Sequence, residues 1–107
     1  MRGYRWSWGP RFSQKFNFQW DIIDHRSFVV ITASEGREVV EDRTILYTTE
    51  SPNRFVGDAR FTVDNIAPHD GGVTFHVTVD FWRPLMLWTD IIVFNELSFS
   101  LDGFHQV

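Results

Sequence analysis

Aromatic side chains recur at every second position near the start of the chain. The rings in residues 4–20 all stand at even positions: Tyr4, Trp6, Trp8, Phe12, Phe16, Phe18 and Trp20. Successive side chains of a β-strand point to opposite faces, so this spacing has the period of a strand and not that of a helix. The sequence therefore predicts extended segments that carry one strongly aromatic face.

The period of two continues along the chain and is interrupted where turn residues occur. Asp70-Gly71 is the strongest hairpin signal, because such a pair suits the tight turns between antiparallel strands. We predict an edge segment near residues 4–8, ended by Gly9-Pro10. Further strands are predicted over residues 12–23, 27–33, 37–50, 55–66, 73–82 and 87–96, with short alternation in 97–107.

These segments predict an all-β protein with one domain over residues 1–107, since the length fits a single domain. We expect an antiparallel β-sandwich of seven to eight strands, jelly-roll or immunoglobulin-like, with a closed β-barrel as the alternative. The even-numbered rings of residues 12–22 are predicted to point into the core. Residues 27–33 are apolar on both faces, which is typical of a central strand. The sequence leaves open whether Tyr4, Trp6 and Trp8 cover the core or form a surface.

Charge and composition exclude several classes of partner. The formal charge is −4 with no run of basic residues, whereas nucleic-acid-binding proteins usually carry a basic stripe. The apolar runs are far shorter than a membrane span, which takes roughly 18 residues. Residues 1–12 lack the apolar segment of a signal peptide, so we expect a cytoplasmic protein, or one secreted without a visible signal. The absence of cysteine excludes disulfides and thiolate metal sites.

The acidic and histidine residues offer only scattered metal candidates. Asp64, Asn65 and Asp70 flank the predicted hairpin turn and could supply oxygen ligands to calcium. Side chains of this type more often cap turns by binding their own backbone. His25 and His69 are predicted to be turn residues, and a zinc site would need histidines from distant strands. We therefore predict no cofactor.

Two residues are candidates for acid–base chemistry if the protein is an enzyme. His76 lies on the polar face of its predicted strand, two positions from Thr78 and four from Asp80. Asp90 stands between Trp88 and Ile92 in an otherwise apolar strand, which predicts a buried carboxylate. It would either pair with Arg60 or Arg43, or serve as a catalytic or ligand-anchoring group with a raised pKa.

Residues 80–90 are the segment that points most directly to function. Trp82, Arg83 and Trp88 flank Pro84, which predicts a surface loop carrying large apolar groups. Such a loop could fold back onto the core, form a dimer contact, or present tryptophan faces to a ligand with Arg83 as the polar anchor. Aromatic residues and arginine are enriched at binding hot spots.

We favour a non-catalytic, lectin-like module that binds a carbohydrate or another small molecule. The candidate ligand-binding residues are Trp82, Arg83, Trp88, Trp6 and Trp8. One alternative is a cofactor-free β-barrel enzyme of the isomerase, cyclase or hydratase type that uses Asp90 or His76. The other is a structural or oligomer-forming protein, including a homodimer.

Overall fold

The computed structural model describes residues 1–37 and 54–94, and these form β-strands joined by turns and short loops. The strands are β1 (Arg2–Arg11), β2 (Gln14–Gln19), β3 (Phe28–Glu35), β4 (Arg60–His69), β5 (Gly72–Asp80) and β6 (Leu85–Phe94). All their pairings are antiparallel, which confirms the predicted all-β class. No helix within these two ranges has the length and apolar character needed to cross a membrane.

The strands form two three-stranded sheets. The β6 sheet has the order β1-β6-β3, and the β5 sheet has the order β2-β5-β4. The chain changes sheet at every connection except the β4–β5 hairpin. β3 packs closely against β4, whereas β1 and β2 come less close to each other on the opposite side. The two layers are therefore open along the side formed by β1 and β2.

A single hydrophobic core lies between the two sheets. Its centre consists of alternate residues of the two middle strands, and these are almost fully buried: Val73, Phe75, Val77, Val79, Leu85, Leu87, Ile91 and Val93. The period of two places all of them on the inner faces. Phe16 and Phe18 of β2 join this core, as predicted, and Trp20 packs against it while partly exposed.

The β4–β5 hairpin confirms the strongest turn prediction. His69 pairs with Gly72, so Asp70 and Gly71 form a two-residue loop. Gly71 adopts a φ of 91°, a conformation that residues with a side chain rarely adopt.

Several strand predictions are corrected by the structure. The described residues contain six strands and not seven or eight; the strand predicted at 37–50 lies outside them except for residue 37, and the segment predicted at 97–107 lies outside them entirely. Within these residues the two sheets share no hydrogen-bonded strand pair, so no closed barrel forms. β3 is an edge strand of the described sheet and not a central one, and its Phe28 and Val30 are exposed on the outer face.

The first two strands also differ from the prediction at their junction. β1 continues through Gly9-Pro10 to Arg11, because a bulge between Ser7 and Gly9 absorbs the irregularity and Gly9 takes a φ of 76°. Phe12 lies in the turn that follows and is exposed, although its even position predicted a core residue. Alternation identifies a face only where the strand is unbroken, and here the turn intervenes.

Candidate functional site

An aromatic groove opens between β1 and β2, on the side where the two sheets separate. Its volume is about 400 Å³. β1 supplies one wall and β2 supplies the floor and the other wall, and the lining residues are Tyr4, Trp6, Trp8, Asn17, Phe18, Gln19 and Trp20. Rings from two neighbouring strands therefore surround one open cleft, which we call the aromatic groove.

The rings in the groove pack edge to face and leave their outer parts exposed. The Tyr4 ring lies 5.4 Å from those of Phe18 and Trp20, measured between centroids, and the Trp6 ring lies 6.2 Å from that of Phe18. Phe18 is buried beneath them, while Tyr4 and Trp6 are each 43% exposed. Such contacts orient each ring by its quadrupole and restrict its motion. The groove therefore has a buried floor and a half-exposed aromatic wall formed by β1.

Trp8 closes the inner end of the groove and is held by a hydrogen bond. Its Nε1 donates to the Thr89 hydroxyl at 2.9 Å, and its ring lies 4.7 Å from that of Phe16. Thr89 is completely buried in β6, so this bond gives its hydroxyl a partner. The indole is thus fixed by both packing and polar contact.

Polar side chains near the groove include the Asn17 amide, on the outer face of the β5 sheet, and the Arg2 guanidinium, beside the groove rings. The Asn17 Oδ1 atom lies 2.8 Å from His69 Nε2 and accepts a hydrogen bond from the Thr74 hydroxyl at 3.2 Å. The Arg2 guanidinium lies over the Trp20 ring, 5.9 Å from its centroid. Of these groups, Arg2 therefore lies beside the aromatic surface, whereas Asn17 is held against Thr74 on the outer face of the β5 sheet.

Asp90 lies on the outer face of the β6 sheet, away from the groove, and is bound by two arginines. Arg5 forms a bidentate contact, Nε to Oδ1 at 2.7 Å and Nη2 to Oδ2 at 2.9 Å. Arg54 Nη1 donates to Oδ2 at 2.7 Å and also to the Thr32 hydroxyl. These are neither of the predicted partners, since Arg60 faces Asp80 in the β4–β5 register and residue 43 lies outside the described ranges.

The environment of Asp90 opposes the predicted raised pKa. Partial burial alone would raise the pKa of this carboxyl, but the hydrogen bonds and charges of Arg5 and Arg54 outweigh it and hold the pKa below its ordinary value. The side chain is 25% exposed and so is less buried than predicted. Asp90 is an ionised structural partner of two arginines.

Arg5 links this ion pair to the groove. It lies between Tyr4 and Trp6 in β1, so its side chain points to the outer face while both rings point inward. β1 has hydrogen-bonded neighbours on one edge only within the described residues. The Arg5–Asp90 contact therefore helps to hold β1, the edge strand that forms one wall of the aromatic groove.

The structure separates Trp88 from the other two candidate ligand-binding residues of segment 80–90, Trp82 and Arg83. Trp82 is 77% exposed in the β5–β6 loop, whereas Trp88 is only 6% exposed on the outer face of β6. Trp88 Nε1 donates to the Arg37 carbonyl at 3.0 Å. Trp88 therefore does not share the exposed surface that Trp82 and Arg83 form in the described residues.

The tip of the β5–β6 loop has its own small aromatic stack. The Phe81 and Trp82 rings stack with centroids 5.5 Å apart, and the Arg83 guanidinium lies 5.3 Å from the Trp82 centroid. This cluster forms a convex, exposed tip, in contrast to the concave aromatic groove.

The acid–base candidates lie on opposite outer faces of the sandwich. His76 is on the outer face of the β5 sheet and lies 3.5 Å from Asp64, its partner in the β4–β5 register, and not beside Asp80. Asp90 is on the outer face of the β6 sheet. Neither residue lines the aromatic groove, so the structure brings together no acid–base pair of His76 and Asp90.

The calcium candidates are also apart. Asp64 contacts His76, Asn65 occupies a bulge in β4 with a φ of 53°, and Asp70 lies at the hairpin end, where His25 binds it. Hydrogen bonds from His25 lower the pKa of Asp70. Residues 1–37 and 54–94 contain no group of three or more histidine or acidic side chains placed to hold a metal ion.

Five lining residues of the groove were not predicted to bind a ligand, although Trp6 and Trp8 were. Phe18 and Trp20 were assigned to the core, Tyr4 was left open, and Asn17 and Gln19 stand at the odd, polar positions between these rings. The shared even spacing in residues 4–8 and 16–20 was the available signal. This spacing shows that each segment has an aromatic face. That the two faces meet follows only once the two strands are known to lie in opposite sheets.

Searches with this chain found no matching protein-family model, curated protein or solved structure.

Proposed function

We propose that this protein is a non-catalytic binding module that holds a carbohydrate in the aromatic groove between β1 and β2. The observation that carries the proposal is the set of half-exposed rings in one open cleft, with the Arg2 guanidinium beside the Trp20 ring. Small-molecule sites are typically concave and largely apolar, with few polar groups, and occupy about 300–1,000 Å³. The groove's volume of about 400 Å³ lies within that range.

The chemistry of the lining suits a sugar ring. A pyranose has apolar C–H faces that can stack on indole or phenol rings, and peripheral hydroxyls that need hydrogen-bond partners. Trp6 and Tyr4 supply exposed ring faces, while the Arg2 guanidinium beside the Trp20 ring can donate hydrogen bonds to the hydroxyls. Rigid aromatic side chains bind at a low cost in conformational entropy, and their mutual packing lowers it further.

The proposal is for binding without catalysis because of the groups that line the groove. All seven lining residues lie in the described ranges, and none has a carboxylate, an imidazole or an amine. General acid–base catalysis needs a titratable group within hydrogen-bond reach of the reacting atoms, and the Tyr4 phenol is the one such group in the lining, with no second group there to pair with it. The exposed Phe81–Trp82–Arg83 tip is the second candidate surface for the same ligand class, because it alone among the predicted loop groups is solvent-exposed.

A titration with matched tryptophan variants tests the site. Wild type, Trp6→Ala and Trp82→Ala are titrated calorimetrically against a panel of neutral oligosaccharides, with thermal midpoints recorded for each. We expect Trp6→Ala to weaken binding by at least about thirtyfold, the loss that corresponds to a hot-spot aromatic residue. Trp82→Ala should bind as wild type does, because it removes an exposed ring at a different site.

The reverse result would place the ligand at the β5–β6 loop and overturn the groove as the site. If wild type binds no member of the panel, the carbohydrate assignment fails. Trp6 is a suitable probe because 43% of it is exposed, so its truncation removes less buried surface than loss of a core ring.

We also propose that the sandwich is of the jelly-roll type and not immunoglobulin-like. The first two strands of an immunoglobulin fold lie in the same sheet, whereas β1 and β2 lie in different sheets. Alternation of successive strands between two sheets supports the jelly-roll arrangement. An experimental structure with β1 beside β2 in one sheet would overturn it.

A further inference from the structure

The inward-facing row of β1 side chains ends in a charged residue. Arg2 pairs with Val93 in the β1–β6 register, and Val93 is almost fully buried in the core. Residues directly opposite in an antiparallel pair share a face of the sheet, so Arg2 lies on the inner face. The period of two places Tyr4 and Trp6 in the same row. The row that forms one wall of the aromatic groove therefore continues to Arg2.

The Arg2 guanidinium is held beside the groove without a counter-charge. It lies over the Trp20 ring, 5.9 Å from the centroid, and Arg2 is exposed. Its side chain forms no ion pair or hydrogen bond with any residue of 1–37 and 54–94, including Asp21, which follows Trp20 in the chain. The side chains that line the groove are all uncharged at neutral pH. The cleft therefore has a positive group beside it and no negative group in its lining.

Arg5, three positions further along β1, shows the contact that a guanidinium makes when a carboxylate is opposite. It binds Asp90 through two N–O contacts, of 2.7 and 2.9 Å, on the outer face of the sheet. Arg2 has the same planar set of N–H donors on the inner face, where the described residues supply no carboxylate. A carboxylate on a ligand in the groove can take the position relative to Arg2 that Asp90 takes relative to Arg5.

We propose that the sugar held in the aromatic groove is a uronic acid, whose ring packs on Tyr4 or Trp6 while its carboxylate binds the Arg2 guanidinium. This inference rests on the groove being the carbohydrate site proposed above. Neighbouring residues on one face of a strand lie about 7 Å apart, so a sugar ring over Tyr4 lies within reach of Arg2. A carboxylate accepts two parallel N–H bonds from a guanidinium, whereas the hydroxymethyl group of a neutral sugar has one uncharged oxygen.

Trp20 positions the guanidinium for this contact. A guanidinium that lies over an indole face keeps the N–H donors at its edge available to a carboxylate. The ring also shields one side of the charge from water, so salt and solvent weaken an ion pair there less than one in open solution. Neutral sugars remain ligands of the groove, but they bind more weakly because they lack this ion pair.

Calorimetric titration with matched ligands tests the inference. The ligands are trisaccharides of glucuronic, galacturonic and mannuronic acid, each used as the free acid and as its methyl ester, which has the same ring stereochemistry and no charge. We expect wild type to bind the free acid of the best-bound series about tenfold more tightly than its ester, the factor expected for a hydrogen-bonded charge pair. This ratio is measured at about 50 mM salt and should fall at about 500 mM, because salt screens the ion pair.

Three variants assign the preference to a residue. Arg2→Gln keeps hydrogen-bond donors but removes the charge, so it should bind acid and ester with equal affinity. Arg26→Gln is the control, because it removes the same charge from an exposed residue in the turn that follows Trp20, and it should keep the tenfold preference. Trp6→Ala should weaken acid and ester by the same factor, since it removes a ring and no charge. Thermal midpoints show whether each variant is folded, and the salt series on wild type needs no variant.

The outcomes separate this inference from the proposed function. If wild type binds acid and ester equally and Trp6→Ala weakens both, the groove is the carbohydrate site and the uronic-acid assignment is wrong. A preference for the acid that persists in Arg2→Gln would overturn Arg2 as its anchor. If neither acid nor ester binds in any series, the groove fails as a carbohydrate site and this inference fails with it.

Discussion

Arg5 and Asp90 form a bidentate ion pair across the β1–β6 ladder, with N–O distances of 2.7 and 2.9 Å. They are directly opposite in register, so the pair closes on one outer face while Tyr4 and Trp6 pack on the inner face. Arg54 binds the same carboxylate from the segment before β4. One carboxylate therefore connects an edge strand, a central strand and a connecting segment.

Replacing Asp90 by alanine should destabilise the fold by about 2 to 3 kcal/mol, since hydrogen bonds to charged groups contribute about 1.5–3 kcal/mol. The loss also leaves two guanidinium groups facing each other without a counter-charge. Urea denaturation followed by tryptophan fluorescence measures the effect. Asp58→Ala is the control, because Asp58 is exposed and forms no ion pair with a described residue. Equal midpoints for the two variants would contradict this prediction.

The contribution of Asp90 should depend on pH in the acid range. The two arginines lower its pKa in the folded state, so its stabilisation is fully present above the ordinary carboxyl pKa of about 4 and is lost as the pH falls through the lower folded value. The difference in unfolding free energy between wild type and Asp90→Asn should therefore be constant from about pH 5 to 7 and shrink below about pH 4. Urea melts over that series measure it. A difference that grows on acidification would show that the pKa is raised instead.

Thr89→Val should cost about 1 to 2 kcal/mol although it preserves the shape of the side chain. The substitution removes the hydroxyl that accepts the Trp8 Nε1 hydrogen bond and leaves that indole N–H without its partner. We also expect a shift in tryptophan emission, because Trp8 loses its polar neighbour. Thr78→Val on the exposed face of β5 is the matched control. An unchanged midpoint and spectrum in Thr89→Val would mean that the bond contributes nothing.

Phe75→Ala should lower the free energy of unfolding strongly, whereas Trp82→Ala should change it little. Phe75 is 1% exposed at the centre of the core, so its truncation leaves a cavity and should cost about 3 to 5 kcal/mol. Trp82 is 77% exposed, and its truncation should change stability by less than about 1 kcal/mol. Thermal and urea unfolding of both variants measure this. A large loss in Trp82→Ala would show that the loop tip packs on the fold.

Gly72→Ala should disrupt the contact between β2 and the β4–β5 hairpin. A methyl group at this position would lie 2.5 Å from the Phe18 carbonyl oxygen and 3.2 Å from the Gln19 Cα atom, both backbone atoms that cannot easily move. We expect destabilisation of about 1 to 3 kcal/mol from this overpacking. Amide hydrogen exchange should show the loss concentrated in β2. Protection of β2 equal to that of wild type would contradict the predicted clash.

Sequence periodicity predicted the inner faces where strands are long and unbroken. In β5 the alternation of Val73, Phe75 and Val77 with polar residues identified the buried face correctly, because one side of that strand faces the core and the other faces water. The Asp70-Gly71 hairpin was also predicted correctly, since a short turn depends only on residues close together in the sequence. Phe12 was predicted incorrectly and β3 is an edge strand within the described residues, because turn position and strand order depend on distant parts of the chain.

The sequence predicted only part of the candidate site. Trp6 and Trp8 were recognised by their spacing, but Trp88 was grouped with Trp82 because the two flank the same proline. Trp82 and Trp88 are close in the sequence but not in space, because β6 is extended and places Trp88 away from the loop. The partners of Asp90 were likewise missed, because Arg5 is 85 positions away along the chain.

The sequence by itself determined the all-β class, the aromatic face of the first two strands and the main hairpin. These features follow from side-chain alternation and turn chemistry, which act between residues a few positions apart. Only the tertiary structure decided that β1 and β2 lie in opposite sheets, so that Tyr4 and Trp6 meet Phe18 and Trp20 across an open groove. That choice depends on the simultaneous packing of all the strands around one core, and no local pattern contains it.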